Sequence, residues 1–110
     1  MENIQFKKGV LELCVLVLVG QQDLYGYELV NNISKYIEIS EGTIYPLLRR
    51  LTKEGYFTTY LAESHEGPPR KYYRLTEGGQ RYRDDLMREW DVFVGRVNSV
   101  IFQGGRHEQG

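Results

Sequence analysis

Cysteine is almost absent from this sequence of 110 residues, which contains a single one, Cys14. One cysteine cannot form an internal disulfide bond, and it leaves no Cys-x-x-Cys pair for zinc. Cys14 lies inside the apolar run of residues 10–19, where a thiol behaves as a small hydrophobic side chain. The sequence therefore excludes a fold held by its own disulfides and a cysteine-based zinc site.

No apolar run is long enough to suggest a membrane segment. The longest, residues 10–19, has about half of the roughly twenty residues that a transmembrane helix needs, and it contains Glu12. It also lacks the small-residue cleavage site of a signal peptide. We expect a cytoplasmic protein that has no membrane partner.

Histidine is scarce as well, with His65 in a predicted turn and His107 near the end of the sequence. Neither has the spacing of a metal site or a catalytic triad, and there is no glycine-rich nucleotide-binding fingerprint. Glu63 and Glu66 form a carboxylate pair only at a turn, where no desolvation would give them the different proton affinities that acid-base catalysis requires. We expect no enzymatic activity, no cofactor and no metal ion.

An excess of either charge is also lacking, because the net charge is −1. This balance argues against a protein that coats nucleic acid by bulk electrostatics, so any contact with DNA requires a local basic patch. The middle of the chain has one. Residues 45–56 contain three cations and one acid, and residues 65–74 again contain three cations and one acid.

The size and composition fit one small domain. With 110 residues and 41% hydrophobic content, its core is modest, and extra burial through oligomerisation is a reasonable expectation. Residues 10–19 fit a helix or a strand buried on every side, and periodicity alone does not separate the two. Gly20 ends this element, residues 21–24 form a turn, and a short second helix follows with Asp23 as its N-cap.

A third helix is predicted over residues 41–54, with Ser40 as the N-cap and Gly55 at the C-terminal end. Its apolar residues recur at helical spacing and define a core side. These residues are Ile44, Leu47, Leu48 and Leu51. The opposite side carries Gly42, Pro46, Arg49 and Lys53. Pro46 is an anomaly, because a proline inside a helix removes one hydrogen bond and bends the first turns.

The third helix leads into a predicted hairpin with strands at residues 56–64 and 70–75 and a turn at residues 65–69. A basic helix followed directly by a basic hairpin is the arrangement with which a winged helix grips DNA. Arg49 and Lys53 can read the major groove, while Arg70 and Lys71 reach phosphates or the minor groove. The alternative for each of these cations is an ordinary solvated face.

The last helix begins after Thr76, its predicted N-cap, and carries a heptad-like apolar stripe. We predict that this stripe forms a dimer interface. Its residues are Leu86, Trp90, Phe93, Val97 and Val100. Residues 104–105 are glycines that end the helix, and residues 104–110 form a flexible polar tail.

Three sequence blocks resemble the PadR family of bacterial transcriptional regulators, and they occur in the family's order. They are LYGYEL at residues 24–29, SEGTIYPLLRRL at residues 40–51, and GPPRKYYRLT at residues 67–76. The resemblance implies a mainly α fold with a β-hairpin wing (α+β), in which residues 1–76 form a winged helix-turn-helix DNA-binding domain and residues 77–103 a dimerisation helix. It also implies that the first helix joins the last one in forming the dimer. The single helix after the wing resembles the short branch of the family. The resemblance further implies a homodimeric repressor that binds double-stranded DNA with a two-fold operator.

The resemblance also adds tyrosines near the start of the second helix to the candidate DNA contacts, since a hydroxyl group and a helix N-terminus can hold a phosphate. The full set of residues predicted to contact DNA is Tyr25, Tyr27, Ser40, Thr43, Tyr45, Arg49, Arg50, Lys53, Gly67, Arg70 and Lys71. A core position for the Tyr27 ring is the alternative.

Trp90 lies where multidrug-responsive members of the family have a tryptophan that stacks on flat aromatic ligands. This similarity implies a planar aromatic effector at the dimer interface, with Leu13, Val17 and Phe93 as further walls. A closed interface without a ligand is the alternative. The runner-up function is a winged helix that binds a protein and not DNA, which predicts an exposed apolar patch on the third helix or the wing.

Overall fold

The computed structural model describes residues 4–103 and the side chains from residue 9 onward. Its elements are α1 (Ile4–Gln21), β1 (Leu24–Tyr25), α2 (Gly26–Ser34), α3 (Glu41–Lys53), β2 (Phe57–Ser64), β3 (Gly67–Leu75) and α4 (Glu77–Gln103). The predicted α+β class with a β-hairpin wing is confirmed. The predicted flexible tail, residues 104–110, lies outside the described residues.

α1 settles the ambiguity of the first apolar run in favour of a helix, and it extends beyond the predicted residues at both ends. Leu11, Val15 and Val19 are spaced four residues apart and are buried. Leu13 and Val17, on another side of the helix, are only half-buried. Within a single chain, one face of α1 therefore packs into the core and another borders a groove. The predicted burial on every side, which involves a second subunit, stays a prediction.

The core joins α1, α2, α3 and the base of the sheet. Its buried hydrophobic residues are Leu11, Val15, Leu16, Val19, Leu24, Leu29, Ile33, Ile44, Leu47, Leu48, Leu51, Phe57 and Tyr73. The predicted core side of α3 is confirmed, since its four apolar residues all belong to this cluster. The sheet enters the core through Phe57 and Tyr73, whose rings pack edge to face with centroids 5.9 Å apart.

The segment before α2 differs from its prediction. Asp23 is not the N-cap, because α2 begins at Gly26 and the Glu28 side chain accepts a hydrogen bond from the backbone N–H of Tyr25 at 3.2 Å. Leu24, predicted as the last residue of a turn, instead forms β1 together with Tyr25, and β1 pairs with β3. A two-residue strand has no periodicity of its own, so only its distant partner defines it.

α3 runs as predicted and continues through Pro46. The Gly42 carbonyl loses its helical donor at this proline, and Gly42 is exposed, so water can satisfy the carbonyl. Ser40 occupies the N-cap position, with its hydroxyl 3.3 Å from that of Thr43. Gly55 follows the helix with a φ of 88°, the left-handed conformation predicted from its place in the sequence.

The sheet is antiparallel with the order β1-β3-β2. β2 and β3 form the wing, and their register shifts between Ala62 and Ser64. The turn is shorter than predicted, because Pro68 and Pro69 already belong to β3. They lie at the register shift, where an irregular ladder tolerates residues that have no backbone donor.

α4 begins against the end of α3. Thr76 caps it as predicted, accepting a hydrogen bond from the Gly79 N–H at 3.0 Å and donating one to the Gly55 carbonyl at 2.7 Å. A Cβ atom on Gly79 would lie 2.3 Å from the Tyr56 carbonyl oxygen. This glycine is required because the two backbones approach closely, which its position in a helical first turn does not reveal.

Within residues 4–103, no helix combines the length and apolarity needed to cross a membrane.

We expect Gly79→Ala to lower the free energy of unfolding by about 1–3 kcal/mol, because the added methyl group meets backbone and forces α4 away from Tyr56. Urea denaturation measures the change. Gly78→Ala is the matched control, since its Cβ would meet nothing closer than 3.8 Å, and we expect it to be neutral or to stabilise by up to about 1 kcal/mol. Equal effects of the two substitutions would contradict the close-approach explanation.

Candidate nucleic-acid interface

A groove of about 300 Å³ lies between α3 and the wing. Its lining residues are Tyr25, Tyr45, Arg49, Arg70, Lys71 and Tyr73. All except Tyr73 are among the residues predicted to contact DNA. The fold thus brings together, on one surface, side chains from β1, α3 and β3 that are as many as 48 positions apart in the sequence.

Arg49 is the cation that α3 contributes to this groove. It is exposed on the side of the helix opposite the buried Leu48 and Leu51, as the periodicity predicts. Among residues 9–103, no carboxylate lies within 4 Å of its guanidinium group. No ion pair within residues 9–103 therefore occupies the five N–H donors of Arg49, and they can bind an acceptor on another molecule.

Arg70, which lies in the half of the wing nearer the turn, is held by an aromatic ring. Its guanidinium carbon lies 4.6 Å from the centroid of the Tyr25 ring, a distance at which the cation is attracted to the ring face. Tyr25 in turn packs edge to face on Tyr72 at 5.4 Å and stacks with Tyr27 at 6.5 Å. The stack continues from Tyr72 to Tyr60 at 5.6 Å. This row of tyrosines ties the start of α2 to the outer face of the wing.

Asp23, just before β1, binds one residue on each strand of the wing. Its Oδ2 accepts a hydrogen bond from the Tyr60 hydroxyl at 2.6 Å and from Arg74 Nε at 3.1 Å. The hydrogen bond from Tyr60 is the main cause of a lowered pKa of the Asp23 carboxyl. Arg74 also lowers this pKa, and partial desolvation raises it. Arg74 is therefore neutralised within the chain. Asp23 is a wing-anchoring residue, a role that only its partners 37 and 51 residues away reveal.

Tyr45 links α3 to α2. A Cβ atom on Gly26 would lie 2.4 Å from the Tyr45 ring, so the first residue of α2 must be small for the ring to lie there. Burial raises the pKa of the Tyr45 hydroxyl, with a smaller contribution from Glu41. The ring is thus both a wall of the groove and a packing contact between two helices.

Arg50 lies outside the groove, although it is next to Arg49 in the sequence. Its guanidinium group binds Glu12 of α1 at 2.9 Å and Glu54, the residue that follows α3, at 2.6 Å. The hydrogen bond to Glu12 is the main reason that the pKa of Arg50 is raised. The placement gives Arg50 a role inside the fold that the sequence analysis did not foresee.

The remaining candidate residues surround the groove without lining it. Tyr27 is 54% exposed beside Tyr25, Ser40 and Thr43 lie at the N-terminal end of α3, and Lys53 is exposed at its C-terminal end. Gly67 is exposed at the tip of the wing. They extend the basic and hydrogen-bonding surface along both elements.

The chain matches the family described as the transcriptional regulator PadR-like family over residues 15–85, which is more than half of its length. It belongs to this family. The PadR-like family comprises transcriptional regulators, which implies regulation through DNA binding, and the winged-helix fold predicted from the sequence blocks is confirmed.

Solved structures support the assignment. A PadR-like transcriptional regulator from Bacillus cereus is 39% identical, with 88% of this chain and 96% of that one covered at a TM-score of 0.80. A Streptococcus transcriptional regulator is 38% identical, with coverages of 89% and 98% and a TM-score of 0.80. A relative found by sequence alone is an uncharacterised protein from Lysinibacillus sphaericus. It is 36% identical over 101 residues, which are 88% of this chain and 92% of that protein.

A second groove of this PadR-like chain, about 480 Å³ in volume, lies between α1, the end of α2 and α4. It is lined mainly by apolar residues, and its polar lining residues are Asn32, Lys35 and Asp91. Leu13, Val17 and Trp90 line it, as the effector prediction requires. Phe93 does not; it lies on another side of α4, at a shallow depression with Val92 and Arg96.

The predicted stripe on α4 is largely exposed. Leu86 packs against the core, but Trp90 is 38% exposed, Phe93 54% and Val100 69%. Val92, Val97, Ile101 and Phe102 add further exposed apolar surface to the second half of the helix. Among the side chains of residues 9–103, none covers this part of α4, and exposed apolar surface of this kind marks an interaction site.

Proposed function

We propose that this PadR-like protein is a homodimeric repressor that acts in the cytoplasm, binds a two-fold operator in double-stranded DNA and is released by a small aromatic effector. The observation that carries DNA recognition is the groove shared by α3 and the wing, in which Arg49 faces Arg70 and Lys71. Each subunit inserts α3 into a major groove and lays its wing beside it, so half-sites lie about one helical turn apart.

In this proposal Arg49 reads bases. It lies on the side of α3 that also presents Gly42, Pro46 and Lys53, so no large apolar side chain prevents the helix from approaching the base edges. An arginine that reaches a guanine can bind its O6 and N7 in a bidentate manner. Arg50 supports the helix from behind through Glu12 and Glu54 and contacts DNA only if it leaves them.

Phosphate contacts come from both sides of the groove. Arg70, Lys71 and Lys53 supply charge, and the Gly67 backbone supplies a donor at the tip of the wing. The hydroxyl groups of Tyr25, Tyr27, Ser40, Thr43 and Tyr45 add hydrogen-bond donors near the N-terminal ends of α2 and α3. These contacts fix the register of the protein on DNA but do not distinguish sequences.

Dimerisation through α4 follows from the exposed apolar stripe. A helix of 27 residues whose second half presents Phe93, Val97 and Val100 to solvent buries this surface most simply against a second copy. α1 contributes Leu13 and Val17 beside Trp90. The groove of Trp90 is then next to the dimer interface, and a planar aromatic effector stacks on its indole ring.

The alternative of a protein-binding winged helix receives little support. It requires an exposed apolar patch on α3 or the wing, but the exposed face of α3 is made of small and charged residues. On the wing, Leu61 is the one large aliphatic side chain that is exposed among the described residues. A single exposed leucine is normal for a soluble surface.

The DNA-binding proposal is tested by selecting an operator from random duplexes with the wild-type protein and measuring the affinities of variants. We expect Arg49→Ala to weaken operator binding by about 1–3 kcal/mol and to relax the preference at the contacted base pair. Arg81→Ala is the matched control, because Arg81 is an exposed arginine near the start of α4 that does not line the groove. Retained specificity in Arg49→Ala would contradict the assignment.

A phosphate contact has a different signature. We expect Lys71→Ala to weaken binding to operator and random DNA alike and to reduce the slope of log K against log salt by about 1, since one fewer counterion is released. Titrations at several salt concentrations measure the slope. A loss confined to the operator would show instead that Lys71 reads sequence.

We expect Phe93→Asp to dissociate the dimer, because a carboxylate would be buried in an apolar interface. Sedimentation equilibrium measures the mass, and urea denaturation shows whether the variant is folded. Asn98→Asp, which adds the same charge at an exposed polar position of α4, should remain dimeric. A folded Phe93→Asp dimer would exclude this stripe as the interface.

For the effector, the expected result is that a planar compound quenches Trp90, the only tryptophan, and weakens operator binding about tenfold or more. The protein is titrated with flavin, acridine and naphthalene compounds while its fluorescence is followed. Val17→Phe, which fills part of the groove, should abolish the response. No response in fluorescence and no change in operator binding would leave Trp90 a structural residue.

A further inference from the structure

Glu12 is the point at which three helices meet. Its Oε1 atom accepts hydrogen bonds from Arg50 Nη2 of α3 at 2.9 Å and from the Tyr82 hydroxyl of α4 at 2.9 Å. The Glu12 side chain is only 15% exposed, whereas that of Arg50 is 48% exposed. A carboxylate in so apolar a stretch of α1 needs partners, and it finds them on two other helices.

Tyr82 is held in place on its other side. Its ring stacks on Tyr56, with centroids 4.3 Å apart and planes 12° from parallel. Tyr56 follows α3, and its carbonyl accepts a hydrogen bond from the Thr76 N–H at the start of α4 at 3.0 Å. Burial, followed by the hydrogen bond to Glu12, raises the pKa of Tyr82 to about 12, so the hydroxyl keeps the proton that it donates. A displacement of α1 or α4 at this point must therefore move the Glu12–Arg50 contact as well.

The two functional surfaces border this contact. Leu13, the residue after Glu12, lines the groove of Trp90, and Arg49, the residue before Arg50, lines the DNA groove. One connection between the grooves thus runs from Leu13 to Glu12 in α1, across the ion pair to Arg50, and on to Arg49 in α3. A ligand or a partner subunit that displaces α1 or α4 would therefore move the Glu12 carboxylate, which also binds Arg50 of α3.

We propose that Glu12 is a positioning residue that couples the groove between α1 and α4 to the orientation of the DNA-reading helix α3. The proposal deepens the proposed function and rests on it. Coupling between two sites is reciprocal, so DNA that reorients α3 must also change the surroundings of Trp90. This reverse effect can be measured without knowledge of the effector.

The experiment follows Trp90 fluorescence while the full-length protein is titrated with the selected operator duplex, with a random duplex of the same length as the optical control. We expect the operator to change the emission of the wild-type protein. Glu12→Gln keeps the shape of the side chain but removes the charge that holds Arg50. We expect it to bind the operator roughly five- to tenfold more weakly and to lose at least about half of the fluorescence change at saturation.

Tyr82→Phe separates coupling from folding. It removes one hydroxyl group, leaves the stack on Tyr56 and the Glu12–Arg50 pair, and should also reduce the fluorescence change. Glu77→Gln is the matched control, since it makes the same charge change in the exposed first turn of α4, and it should behave as the wild type. Urea denaturation of each variant shows which changes merely follow from stability.

The outcomes are distinguishable. If the wild-type protein selects no operator, the proposed function fails. If it binds an operator but Trp90 fluorescence does not change, the coupling proposal is overturned. It is also overturned if Glu12→Gln and Tyr82→Phe lose stability yet keep the full fluorescence change, because Glu12 then only stabilises the fold. A response that is reduced in both variants and unchanged in Glu77→Gln supports it.

Discussion

The burial of one side of α3 is the constraint on which the rest of the structure depends. Ile44, Leu48 and Leu51 are completely buried, and truncation of any one of them to alanine would cost about 2–5 kcal/mol. Because helical geometry fixes the angle between side chains, this burial also determines that Arg49 faces outward. Phe57 and Tyr73 enter the same core, so one set of apolar contacts sets the angle between α3 and the wing.

The sequence predicted those features that depend on local geometry. The apolar spacing of α3 predicted both its core side and the exposure of Arg49, and the turn residues located the wing. Glu12, Asp23 and Tyr82 were missed in their roles because their hydrogen-bond partners are 37 to 70 residues away. The same limit explains Gly79, whose need for a small side chain arises from the Tyr56 backbone and not from its own helix.

Neighbouring residues of one type can have different fates. Arg49 and Arg50 differ by about 100° around α3, which is enough for one to line the groove between α3 and the wing and the other to bind Glu12. Trp90 and Phe93 likewise occupy different depressions of α4. A heptad-like stripe predicts that such residues share a face, but it does not predict where a neighbouring helix divides that face into a groove and an exposed surface.

The length of α4 can set a distance in the proposed dimer. Its first turn is fixed to the end of α3 by Thr76 and Gly79, and its 27 residues extend for about 40 Å. In the proposed dimer, the distance between the two recognition helices is therefore set by how far along α4 the apolar stripe lies. Moving this stripe by one helical turn would shift the interface by about 5.4 Å along each α4 helix and so change the distance between the two copies of α3.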